Sequence, residues 1–81
     1  MTSRLAALRK TDPELALEMT RVVLERDPES QEVPQRTWIA IRALVDLGRR
    51  AEAKDEARAL VRKYPKDRWA QDAERHLLVH P

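Results

Sequence analysis

The sequence predicts an all-α chain: antiparallel helix-turn-helix hairpins stacked as a short solenoid of about five helices, in one domain over residues 1–81. Three observations carry that expectation. Apolar residues recur at three- and four-residue spacing, the segments between them are short and rich in helix stop signals, and part of the chain repeats itself after 37 residues. The alternatives fare badly on composition. A single Gly, no Phe and one Tyr leave an all-β domain without its turn glycines and strand aromatics. Charged residues are 37% of the chain, but regularly spaced Leu, Val, Ile, Ala and Trp among them argue against disorder.

The elements follow in order. Ser3 to Lys10 forms a first helix with Leu5 and Leu8 on one face. Asp12 then caps, and Pro13 suits the first position, of a second helix reaching Arg26. Its apolar residues Leu15, Ala16, Met19, Val22 and Val23 follow helical spacing, and Asp27-Pro28 stops it. After a connection from Glu29 to Val33, with Ser30 as a cap candidate, a third helix covers Pro34 to Leu47. Trp38, Ile41, Leu44 and Val45 form its stripe, and Gly48 is placed for a left-handed C-terminal residue. The fourth helix, Arg50 to Lys63, turns Ala53, Ala57, Leu60 and Val61 inward, and Tyr64-Pro65 ends it. Asp67 caps a fifth, Arg68 to Val79, with Trp69, Ala70, Ala73 and Leu77 inward. Connections this short make consecutive helices antiparallel neighbours.

The repeat is specific. A shift of 37 residues places Ala16 on Ala53, Arg21 on Arg58, Val23 on Leu60, Leu24 on Val61 and Pro28 on Pro65. The second helix of each hairpin is thus written twice.

On these residues the chain resembles the tetratricopeptide repeat family. Trp38 to Pro65 is the better match, with an aromatic early in the first helix, Gly48 at the turn, Ala53 five residues later and Pro65 closing the unit. Asp46 to Ala53 looks like the inter-helix turn of many bacterial members. The period exceeds the family's usual one of about 34 residues, and Ile41 and Leu60 stand where small residues are usual. The resemblance implies a protein-binding module whose first helices line a concave surface that grips peptides. It places Gln35, Trp38, Arg42, Val45 and Asp46 of the third helix, and Trp69, Asp72 and His76 of the fifth, on that surface. Arg beside an indole suits an acidic side chain or a C-terminal carboxylate. The family's Lys and Asn carboxylate-clamp set is absent. Both Trp residues are read first as core filler between helices in a chain without Phe, and second as ligand anchors.

Enzyme chemistry finds no foothold. Ser3, Ser30 and Tyr64 lack a neighbouring base, one Gly makes no phosphate loop, and no carboxylate pair stands in apolar context. Asp72, His76 and His80 share a helix face at metal-ligand spacing, but nothing completes the set, and they read as a polar face. No cofactor or metal is expected. Without Cys there is no disulfide or thiolate zinc site. With no membrane span and no signal-type segment, the expected location is the cytoplasm.

The expected function is a non-enzymatic adaptor or scaffold that presents a concave helical groove to a peptide or protein. Leu5 and Leu8 at one end of the stack, and Leu77, Leu78 and Val79 at the other, are expected to be wet in a monomer, which favours self-association into a homo-oligomer. The alternative is a small helical nucleic-acid binder using Arg42, Arg49, Arg50, Arg58 and Arg62. Interleaved acids, which leave a net charge of only +2, count against it.

Overall fold

A computed structural model describes residues 1–79. Five helices follow one another: α1 (Thr2–Thr11), α2 (Pro13–Arg26), α3 (Val33–Asp46), α4 (Arg50–Lys63) and α5 (Arg68–Ala73), the last continuing into a π-helical turn (Glu74–Leu78). There is no strand among the described residues. The termini obey local chemistry. Asp12 accepts from the Leu15 amide at 3.1 Å, and Asp67 from the Trp69 amide at 2.8 Å. Ser30 does not cap α3. Its hydroxyl accepts from the Glu32 amide two residues on, a local turn, and α3 starts without a side-chain cap. Gly48 has φ +77°, and the amides of Gly48 and Arg49 reach back to the carbonyls of Val45 and Leu44, which closes α3 in a Schellman turn.

α2 and α4 have bounds related by the same 37 residues, and the chain leaves them alike. Asp27 (φ −136°, ψ 64°) and Tyr64 (φ −129°, ψ 63°) end the two helices in the same conformation. The turn hydrogen bonds Ser30 N to Asp27 O and Asp67 N to Tyr64 O are also equivalent.

α3 is the central helix and packs against all four others. α1 packs on α2 and α3, and α5 with its π turn packs on α3 and α4. Among the described residues, the backbones of α1 and α2 stay more than 8 Å from those of α4 and α5. The smallest dimension is 17 Å, about two helices thick. Alanines permit this closeness. Ala16, Ala40, Ala43, Ala53, Ala57, Ala70 and Ala73 are all fully buried, with Leu5, Ile41 and Leu44 as the large plugs.

Two expectations about facing are corrected. The first and last helices are not wet where expected: Leu5 and Leu77 are buried and Leu8 and Leu78 half-buried, because α1 lies over both α2 and α3 and the π turn folds onto α4. Val79 alone of that group is exposed. On α2, the face turned inward is Ala16, Leu17 and Thr20, while Leu15, Met19 and Val22 stand outside. The small residues let α2 approach α1 and α3 closely, and that selects the face over the larger side chains.

Two ion pairs tie the hairpins together across the sequence. Arg9 of α1 reaches Asp46 of α3 at 2.6 Å, and Arg21 of α2 grips Glu56 of α4 through both carboxylate oxygens at 2.6 and 3.1 Å. The hydrogen bond to Glu56 raises the Arg21 pKa above its usual value. Arg36 is buried at the start of α3. Its Nε donates to Thr2 Oγ1 at 3.1 Å and one terminal nitrogen to Glu32 at 3.2 Å.

Candidate functional site

The site is built mainly by α3 and the end of α5. Residues 38, 42 and 45 fall on one side of α3 because three- and four-residue steps return to one face. The π turn then brings His76 and Leu77 against them. In a π turn the amide bonds five residues back, as Val79 N does to Glu74 O at 3.0 Å. The extra residue lets Leu77 enter the core while His76 lies against the Trp38 ring, with ring centres 5.6 Å apart at 46°. His76 Nδ1 donates to the Asp72 carbonyl at 2.8 Å, which fixes the imidazole.

The result is a groove of about 250 Å³ lined by Trp38, Arg42, Val45, Asp46, Arg50, His76 and Leu77. Five of the eight residues expected on the concave surface therefore meet: Trp38, Arg42, Val45, Asp46 and His76. Gln35, Trp69 and Asp72 do not line it. Gln35 is half-buried further up α3. Trp69 packs against the core with the Arg68 guanidinium 4.7 Å above its ring. The Asp72 carboxylate pairs with Arg75, so Asp72 acts on the groove only through its carbonyl.

Trp38 is both core and groove. It is 7% exposed, yet what remains visible forms part of the floor, with the Arg42 guanidinium 5.7 Å from the ring centre. Arg50 and Leu77 were missing from the expected set. Arg50 enters because the Schellman turn at Gly48 folds the start of α4 back beside the end of α3. The family pattern pointed only at first helices, whereas Arg50 opens a second one.

The electrostatics are one-sided. Among the described residues Asp46 is the one carboxylate in the lining, and Arg9 already neutralises it. Arg42 and Arg50 have no ion-pair partner among the described residues. α4 also begins here without a side-chain cap, so its first amides add positive potential. Next to it, Arg49 pairs with Glu52, whose carboxyl is held below its ordinary value of 4.5 by that hydrogen bond. Of the arginines in the nucleic-acid alternative, Arg49 and Arg58 are engaged by Glu52 and Asp55.

Among the described residues no group of three or more His, Asp or Glu is placed to hold a metal, and His80 lies outside those residues. No described helix is long and apolar enough to cross a membrane. No family model matches the chain, and neither the curated proteins nor the solved structures contain a match to it.

Proposed function

We propose that the chain is a short tetratricopeptide-like stack of helical hairpins, a non-enzymatic cytoplasmic adaptor whose groove holds a peptide or protein segment bearing an acidic group. The observation that carries this reading is the pairing of an apolar floor with two uncompensated arginines. Trp38, Val45 and Leu77 form the floor, while Arg42 and Arg50 stand over it and the groove's own acid is neutralised by Arg9. Such a site favours an aliphatic side chain beside a carboxylate, since guanidinium binds carboxylate with two parallel hydrogen bonds. The stacked reading is supported by the 37-residue register of α2 and α4 and by packing confined to neighbouring helices. α1, α3 and α5 then form the inner layer and α2 and α4 the outer.

The test is a fluorescence titration with a synthetic peptide of Glu and Leu, against the same peptide with Gln for Glu. In a Trp69→Phe background Trp38 is the only indole and reports from the groove floor. The acidic peptide shifts its emission and the Gln peptide binds at least about tenfold more weakly, the scale expected of a charge-assisted pair. Arg42→Gln with Arg50→Gln removes the difference. Equal response to both peptides, or a response that survives the double substitution, refutes the reading.

A further inference from the structure

The outer face of α2 has properties inverse to those of the groove. Leu15, Met19 and Val22 form an exposed line along it, each a little over 40% accessible. At 100° per residue, Glu14, Glu18 and Glu25 run along one edge of that line. None of these three carboxylates has an ion-pair partner among the described residues. Of the cations beside them, Arg21 and Arg49 are held by Glu56 and Glu52, and Arg26 stands at the C-terminal end of the apolar line, exposed and in no ion pair among the described residues. The molecule thus carries an apolar helix face with an acidic edge, and an apolar-floored groove with two arginines that have no ion-pair partner among the described residues.

We propose that α2 of one molecule docks across the Arg42–Arg50 groove of a second copy, so that molecules associate head to tail. This rests on the groove reading given above and names its occupant. Glu14 and Glu18 meet Arg42 and Arg50, and Leu15 and Met19 lie toward Trp38 and Val45. Helix-in-groove docking of this kind is read from anchors at three- and four-residue spacing, which α2 supplies.

Charge selects this arrangement over the simpler symmetric one. A two-fold axis that packs α2 antiparallel on its mate leaves both acidic edges on the same side, with Glu14 near Glu25 of the other copy. Like charges then face each other along that edge, three carboxylates from each copy, with Arg26 as the one cation of the face, at its two ends. The head-to-tail contact joins opposite charges instead. It also leaves every complex with one free groove and one free α2, so growth does not stop at a dimer unless a ring closes.

Sedimentation equilibrium of the full 81-residue chain from ~10 µM to ~1 mM covers the range in which a weak interface is half-occupied. The weight-average mass rises with concentration from 9.4 kDa past twice that value. Salt at ~0.5 M suppresses the rise, since screening then acts within a few ångströms. Glu14→Lys with Glu18→Lys gives a monomer, and so does Arg42→Glu with Arg50→Glu. All four positions are exposed, so circular dichroism of both variants stays native. Mixing the two variants restores association, because each supplies the charge the other has reversed. A chain that remains monomeric to ~1 mM, a mass that stops at the dimer and ignores the arginine substitutions, or a mixture that fails to associate, each overturns the proposal. Arg42-dependent binding of the Glu-Leu peptide by a monomeric chain keeps the groove reading and removes only this one.

Discussion

Replacing Trp38 by Ala tests how far the groove and the core share one side chain. A buried Trp hides roughly 150–250 Å², and Trp38 keeps 7% of its surface exposed. At about 25 cal/mol per Å², reduced by ~10–40% for burial already present in the unfolded chain, the loss comes to about 2–5 kcal/mol. The cavity left behind adds to this, and the usual cost of Trp-to-Ala changes in cores is about 3–5 kcal/mol. A domain of this length holds only about 4–12 kcal/mol in all. Urea unfolding followed by helical circular dichroism, with a slope of ~1 kcal/mol per molar, reads the change as a midpoint lowered by ~3 M or as a chain largely unfolded in water. A midpoint lowered by less than ~1 M refutes the assignment of Trp38 to the core. Because the stability cost is this large, Trp38→Ala is a poor probe of binding, and Arg42 and Arg50, both exposed, are the positions at which groove function separates from folding.

Three further outcomes follow from local geometry. Gly48→Ala costs about 1–2 kcal/mol, all of it from the positive φ, because nothing lies within 4 Å of the added methyl; a cost near zero in urea unfolding refutes the Schellman assignment. Thr20→Ala is near neutral, within about 1 kcal/mol. The buried Thr20 hydroxyl has no hydrogen-bond partner among the described residues, and Ala57 holds the equivalent place on α4. A loss above ~2 kcal/mol shows that the hydroxyl is bonded after all. Side-chain NMR of Glu52 gives a titration midpoint below 4.5, returning to the ordinary value in Arg49→Gln. Since the folded value lies below the unfolded one, the pair supports the fold above the unfolded value and its contribution fades as pH falls through the folded one. A wild-type midpoint at 4.5 or higher refutes the pair.

The helices were legible because their ends are chemically marked. Asp12-Pro13 and Tyr64-Pro65 set limits of α2 and α4 that match the structure residue for residue, and Gly48 closes α3 as its position implied. Most of the groove was legible too, since one face of α3 supplies its wall. Three things were not. The facing of α2 was hidden because apolar residues occupy most of its circumference; Ala16 and Thr20 win the interior by letting backbones approach, a cue that hydrophobicity does not carry. The π turn at Glu74–Leu78 left no mark in Ala-Glu-Arg-His-Leu-Leu, which fits an ordinary helix equally well. Arg36 was unremarkable among twelve arginines: Glu32 lies a helical turn before it, but only the fold brings Thr2 to it and buries it.

The matched exits from α2 and α4 bear on how this architecture changes size. Asp27 and Tyr64 hand the backbone onward at nearly the same angles, so whatever follows either residue starts from an equivalent pose. Duplication of the stretch between them needs no new kind of joint. On the stacked reading proposed above, lengthening by copying adds contacts already in use, and shortening removes them in whole steps. On that reading copy number, more than any single substitution, sets how long the chain's exposed face is.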